Sequence, residues 1–322
     1  MKLCEILETF NNNCFIGFID LIMAGNFNLQ KTIETLMLLF KGFFMGIADI
    51  IPGVSGGTIA LITNVYEQLI MTINQAVDNI IQLKNKKYNI FYGMNMWFIV
   101  PLLIGIVSAF IMFSGLINLL INNYPGFVYS FFIGLISASA GLIFMRVKRF
   151  NLNRLMFALL GLVSGVMIVS VGTINANHSL PIIFLSGMLA ICAMILPGVS
   201  GSFILLILGQ YQFMLNALHD FFANLKYVAS FIAGAVIGLL TFSKLIAFLL
   251  KRFHDNVIIF LVGLMIGSLK LPVLNVINSS VDVFGDFKLL LLYLALVLFG
   301  IVIVVMLHVI ESKIKKRKLG IK

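Results

Sequence analysis

The chain has 322 residues, of which 61% are hydrophobic and 11% are charged, and its formal net charge is +10. A water-soluble fold cannot bury so large an apolar fraction, so the composition predicts an integral membrane protein. The positive charge does not indicate nucleic acid as a partner, because the basic residues cluster beside hydrophobic segments, where they favour anionic phospholipids.

Residues 1–33 alternate polar and apolar side chains too finely to span a bilayer. We interpret them as an N-terminal interfacial arm, with a solvated arm as the alternative. Glu5 and Glu8 stand where a cleavable signal peptide would carry basic residues, so no such peptide is predicted. The cysteines lack C-x-x-C spacing, so neither a metal site nor a disulfide framework is indicated, and no cofactor motif is present.

Hydrophobic segments then follow in two similar series. The first is a broken hairpin over 34–75 followed by predicted spans at 97–120, 127–145 and 155–174. The second is a broken hairpin over 182–218 followed by predicted spans at 228–250, 256–271 and 289–310. Several of these exceed the ~18 apolar residues expected of a spanning helix. The predicted units after the arm are a first membrane repeat over 34–174, a second over 175–310, and a basic tail over 311–322.

The two series also resemble each other in sequence. Residues 52–66 match residues 197–211 at nine of fifteen positions, and 113–139 match 242–268 at ten of twenty-seven. Each half has three spans, an odd number, and a hairpin that returns the chain to the side where it began. The second half therefore starts on the opposite side of the membrane and is inverted relative to the first. The predicted fold is therefore an all-α integral membrane protein with an inverted repeat, each half a broken re-entrant helical hairpin plus three transmembrane helices. Because a re-entrant hairpin and a hairpin with two full crossings both return the chain to the same side of the membrane, the number of crossings does not distinguish the two.

The basic loops agree with this layout. They lie at 84–87, 146–154, 251–252 and in the tail, whereas the loops 122–126 and 175–181 contain no Lys or Arg. By the positive-inside rule, the basic loops and the C-terminus are predicted to be cytoplasmic, and the other two loops external.

Each hairpin carries a Pro-Gly break, at Pro52-Gly53 and at Pro197-Gly198. Proline removes a backbone donor, and the half-helix that follows the break begins with N–H groups that have no partner within the helix. Such groups, together with hydroxyls, bind phosphate-like anions. The predicted phosphate-binding residues are Ser55, Gly56, Gly57, Thr58, Ser200, Gly201 and Ser202. The alternative is that these small residues only permit close helix packing.

Charged side chains within the hydrophobic segments are costly and suggest function. Asp49 precedes the first break, and its repeat partner is Met194. We predict that Asp49 carries a proton or orients Ser55 or a cation; the alternative is a carboxylate bonded to local N–H groups.

Glu67 is a weaker candidate for proton relay, with a polar cavity lining as its alternative. Lys41 and Lys244 are candidate cations for phosphate or Asp49, unless they snorkel to the surface.

The stretch Asp-Ile-Ile-Pro-Gly-Val-Ser-Gly-Gly-Thr over 49–58 and its echo over 197–202 resemble the bacterial polyprenyl-phosphate transporter family. The resemblance implies a flippase, not an enzyme, in the bacterial cytoplasmic membrane. It implies that the lipid partner is undecaprenyl phosphate, recycled from the outer to the inner leaflet. By this resemblance, the motif residues of this chain are expected to form the binding site. Proton coupling through Asp49 is compatible with that assignment.

Two alternatives remain. The first is an undecaprenyl-diphosphate phosphatase, since those enzymes have a similar motif. They place Arg after the motif serine, whereas this chain has Gly56 and Gly201 at those positions. Without that Arg, this chain would lack the cation that stabilises a transferring phosphoryl group. A small-anion or ion-coupled solute transporter is the other, since a helix-end anion site does not itself specify a lipid.

Overall fold

The computed structural model describes residues 27–51, 53–82, 94–145, 147, 151–174, 176–279 and 287–318, which form helices joined by short turns. In chain order the helices are α1 (Phe27–Ile50), α2 (Gly56–Ile62), α3 (Tyr66–Gln82), α4 (Met96–Asn123), α5 (Pro125–Met145), α6 (Leu152–Ser170), α7 (Leu180–Ile195), α8 (Gly201–Ile207), α9 (Tyr211–His219), α10 (Leu225–Ser268), α11 (Lys270–Asn278) and α12 (Phe287–Lys318). The all-α prediction is confirmed for these residues. Most of the predicted arm and Pro52 lie outside them.

Within the described part of the chain, five helical stretches are long and apolar enough to cross a membrane. They are Met96–Asn123, Pro125–Met145, Leu152–Ser170, Leu225–Asn278 and Phe287–Val309. The bent pair α8 and α9, which meet at 111°, passes the same test together. The chain is therefore a multi-pass membrane protein.

Two predicted boundaries differ in the structure. Helix α1 begins at Phe27, so residues 27–33 of the predicted arm lie on the same helix as residues 34–50. The predicted spans 228–250 and 256–271 lie largely on the two helical segments of α10, which meet at a kink at Phe253, where φ is −133° and ψ is 40°. The polar run around Phe253 indicated a loop, but the chain turns there within a single residue.

Positive φ angles mark the turns of both hairpins. Gly53 and Gly198, directly after the prolines, have φ of 84° and 90°, a conformation that favours glycine. Asn64 and Gly209, two residues after the ends of α2 and α8, have φ of 55° and 67°. Asn64 and Gly209 occupy equivalent positions of the sequence repeat, as do Gly53 and Gly198, so both hairpins share one backbone design.

Both short helices end in a Schellman motif. The Val65 N–H donates to the Ala60 carbonyl at 2.9 Å, and the equivalent Gln210 N–H donates to the Leu205 carbonyl at 2.9 Å. In this motif a left-handed residue ends the helix and lets the following N–H groups satisfy its last carbonyls. The hairpins therefore turn at depth without leaving those carbonyl groups unpaired.

The repeat is also visible in helix packing. α1 packs on α4 as α7 packs on α10, and α5 packs on α12 as α6 packs on α10. Glycines form these close contacts, and a Cβ on any of them would collide with backbone of the facing helix. Gly42 contacts Leu102 as Gly187 contacts Phe231. In the same way, Gly105 contacts Leu39 as Gly234 contacts Phe184, and Gly134 contacts Val297 as Gly263 contacts Ala158. The correspondence is position by position, so the two halves share one packing arrangement.

The buried core surrounds the two breaks. Ile51 and Val54 are 2% and 1% exposed, and Val199, Leu261 and Met265 belong to the same buried cluster. By contrast α4, α6 and α12 carry long rows of exposed apolar side chains, as expected for helices that face lipid. The fold thus places its broken backbone in the protein interior, where non-helical segments are tolerated at membrane depth.

Candidate functional site

The first break joins α1 to α2, and its backbone donors are bonded within the protein. Asp49 Oδ1 accepts from the Gly56 N–H at 2.7 Å. Ser55 has extended backbone angles and caps α2, its Oγ accepting from the Gly57 N–H at 3.2 Å. The Thr58 N–H donates to the Ser55 carbonyl at 3.0 Å. The first turn of α2 therefore has its donors occupied, one of them by a carboxylate.

The second break joins α7 to α8 and is built differently. Ser200 has the same extended backbone, but its side chain makes no capping bond to α8. Its Oγ lies 2.8 Å from Ser202 Oγ instead. Met194, which takes the place of Asp49, is 40% exposed, and its Cβ would lie 3.5 Å from a Cβ built on Gly201. This helix start therefore has two hydroxyls beside it and no carboxylate from the equivalent position.

The two breaks touch each other. The Gly198 N–H donates to Thr58 Oγ1 at 2.9 Å, and Ser55 Oγ donates to the Leu196 carbonyl at 3.2 Å. Ser55 and Thr58 are 1% and 0% exposed, so both bonds are shielded. Residues more than 130 positions apart in the chain thus form one compact cluster, and the structure brings the two predicted half-sites together.

The two lysine candidates contact groups at other places in the described structure. Lys41 Nζ donates to the Thr63 carbonyl at 2.6 Å, at the far end of α2, where a cation complements the helix dipole. Because α2 spans Gly56–Ile62 at ~1.5 Å per residue, this ammonium lies roughly 10 Å from the helix start. Lys244 Nζ pairs with Asp78 Oδ1 at 3.0 Å.

Glu67 has a partner that the sequence did not predict. Its Oε1 lies 2.8 Å from His254 Nε2, and both side chains are about half exposed, at 45% and 50%. His254 follows the bend in α10, so the pair ties the first hairpin to that bend. Arg154 of α6 pairs with the neighbouring Asp255. No local spacing signals these contacts, since Glu67 and His254 are 187 positions apart.

A family model described as undecaprenyl phosphate translocase-like matches residues 45–288, which include both breaks. The chain belongs to this family. The match begins inside α1 and ends inside α12, so the N-terminal arm and the basic tail lie outside the region that defines the family.

Two relatives in the family are named polyprenyl-phosphate transporters. The one from Vibrio cholerae is 37% identical over 249 residues, which cover 77% of this chain and 79% of that protein. The one from Staphylococcus aureus is 29% identical over 252 residues, which cover 72% of this chain and 83% of that protein. No solved structure matches the chain.

Proposed function

We propose that this chain is a polyprenyl-phosphate transporter that moves undecaprenyl phosphate from the outer to the inner leaflet of the bacterial cytoplasmic membrane. Membership of the undecaprenyl phosphate translocase-like family and the names of both relatives support the substrate class. The buried pair of helix breaks supports a binding site for an anionic headgroup inside a multi-pass fold.

The bond from the Gly56 N–H to Asp49 carries this proposal, because it is a helix-start donor that already holds a carboxyl oxygen at 2.7 Å. A phosphate oxygen offers the same chemistry as a carboxylate oxygen. We place the phosphate between the breaks, with Ser200, Gly201 and Ser202 as its first contacts. Gly201 and Ser202 are half-buried, whereas Gly56 and Gly57 are buried behind Asp49.

Protonation of Asp49 would let the phosphate reach the first break as well. A charge-assisted hydrogen bond is roughly twice as strong as a neutral one, so a protonated Asp49 holds the Gly56 N–H less tightly. Ser55, Gly56, Gly57 and Thr58 would then join the binding site. Proton and phosphate would cross together, and the release of the proton inside would return Asp49 to Gly56.

The inverted orientation of the two halves supplies the alternating access in this proposal. One half rocks against the other around the fixed breaks, while the isoprenoid chain stays in lipid.

The distribution of basic residues supports an orientation with the C-terminus in the cytoplasm. Accessibility tags at Lys86 and at the C-terminus should report the cytoplasm, and tags at Asn123 and Asn177 the outside. A tag at Asn123 on the same side as Lys86 would contradict the inverted layout.

Purified protein in proteoliposomes tests the function. A membrane-impermeant agent that binds lipid phosphate would report how fast undecaprenyl phosphate leaves the exposed leaflet, with and without a proton gradient. We expect the protein to accelerate this transfer and the gradient to increase it. Liposomes without protein are the control.

Two outcomes would overturn the proposal. Release of inorganic phosphate from undecaprenyl diphosphate, lost in Ser200→Ala, would identify a phosphatase. Uptake of inorganic phosphate with no movement of the lipid would identify a small-anion transporter.

A further inference from the structure

Beside the first break lies a cavity of about 430 Å³ that neither the motifs nor the charged residues indicate. It lies between α1, the break itself, the end of α4 and the start of α5, and it is open on one side, where Tyr124 is 53% exposed. Its lining side chains are all apolar except for the hydroxyl of Tyr124, and they include Ile51, Ile117, Phe127, Val128 and Phe131.

A space of this kind indicates an apolar ligand. Ordered water needs two to four polar partners, which this lining does not provide. The volume falls within the range of roughly 300–1,000 Å³ that is typical of small-molecule pockets.

The cavity and the break form one unit. Ile51, 2% exposed, lines the cavity, and its carbonyl accepts from the Val54 N–H at 3.1 Å, so the backbone turns back at once toward Ser55. A polyprenyl chain attached to a phosphate that has reached the first break would therefore begin beside Ile51 and the cavity. The cavity also adjoins Tyr124, in the loop that the charge pattern places on the outer side, the side from which the lipid is collected.

The second half keeps most of this apolar lining at the equivalent repeat positions, including Ile246, Val257 and Phe260, but it has Cys192 in place of Ile47 and Asn256 in place of Phe127. A polar side chain therefore interrupts the equivalent lining at the position of Phe127. We propose that this cavity binds the phosphate-proximal isoprene units of the polyprenyl chain. The proposal rests on the proposed function, because it takes the phosphate to lie at the breaks.

The first test uses wild-type protein in phosphatidylcholine nanodiscs and farnesyl phosphate with a diazirine on its first isoprene unit. After illumination, we expect mass spectrometry to find the label on peptides from the end of α4 and the start of α5. Excess undecaprenyl phosphate should displace the label.

A matched pair of variants provides the second test. Val128→Phe fills the cavity, whereas Val107→Phe makes the same change on α4 at a side chain that is 54% exposed. Excluding a few buried carbons should weaken farnesyl phosphate binding about tenfold in Val128→Phe and leave Val107→Phe like wild type. Equal thermal midpoints for both variants would show that Val128→Phe folds.

The outcomes separate the two proposals. If farnesyl phosphate binds and competes with undecaprenyl phosphate but labels the lipid-facing sides of α6 and α12, the cavity proposal is wrong and the transporter remains. Equal labelling of the cavity by a diazirine phosphatidylcholine would also overturn it, since the occupant would then be a bulk acyl chain. If neither prenyl phosphate binds, both proposals fail.

Discussion

The two breaks have the same backbone and different chemistry. Gly53 and Gly198 adopt nearly the same φ, and both short helices end in the same motif. At the first break, however, Asp49 occupies the Gly56 N–H, whereas at the second Met194 stands in its place. The duplicated scaffold therefore supplies two helix starts, and at one of them a carboxyl oxygen occupies the first N–H.

This difference suggests a division of labour. An intramembrane carboxylate is expensive and persists where it has a task. The second break would recognise the phosphate, and the first would admit it only when Asp49 is neutral. The matched glycine contacts show that the two halves share their backbone packing, so we attribute the difference to side chains such as Asp49 and Met194. Exchanging those side chains should therefore break or reverse the comparison.

Asp49→Asn should have the largest effect. Asparagine keeps an oxygen for the Gly56 N–H, so the variant should insert and fold, but it has no titratable charge. We expect transfer of undecaprenyl phosphate in proteoliposomes to be abolished, or to lose its dependence on the proton gradient. Asp220→Asn, in the turn after α9, is the control and should behave as wild type. Transfer by Asp49→Asn with an unchanged gradient dependence would exclude Asp49 as the proton carrier.

Met194→Asp should make the second break resemble the first. The Cβ of residue 194 approaches the Gly201 position closely, so a carboxylate there could accept from the start of α8. It would compete with the phosphate and repel it, and we expect roughly tenfold weaker binding of farnesyl phosphate. Met194→Leu, which adds no charge, should bind normally. Unweakened binding by Met194→Asp at pH 8 would show that the phosphate does not use this helix start.

Thr58→Val tests whether the breaks are held together as observed. The variant removes the acceptor for the Gly198 N–H and leaves that buried donor unpaired, which costs about 1–3 kcal/mol. The thermal midpoint in detergent should fall. Thr241→Val is the control, because the Thr241 hydroxyl is exposed and bonds within its own helix to the Ile237 carbonyl. A midpoint unchanged in Thr58→Val would mean that the contact between the breaks contributes nothing to stability.

The sequence predicted what short-range patterns encode. The Pro-Gly breaks, the repeat and most of the spans follow from hydrophobicity and from residues with special backbone preferences. The bend at Phe253 was predicted as a loop, because charged residues beside it indicate solvent but do not determine how many residues the turn needs.

Side-chain partners could not be predicted in this way. Lys41 and Lys244 were candidates for the phosphate because both are cations among apolar residues, yet one bonds to the end of α2 and the other pairs with Asp78. The choice between these partners depends on how helices far apart in sequence pack. For Asp49 the structure shows the local alternative, a carboxylate on a backbone N–H, and its role in proton transfer remains a prediction.

The smallest expected effect concerns the contact of Glu67, in the first hairpin, with His254 at the bend of α10. Glu67→Gln removes the charge that faces His254 but keeps a hydrogen-bonding side chain. Because both side chains are about half exposed, the pair should contribute only about 0–1 kcal/mol, and less at high salt. We expect the thermal midpoints of wild type and Glu67→Gln to differ slightly at low salt and to converge at high salt. Transport should survive, because the pair lies away from the breaks. A loss of transport as large as that expected for Asp49→Asn would instead place Glu67 on the proton path and extend the chemistry of the first break along α3.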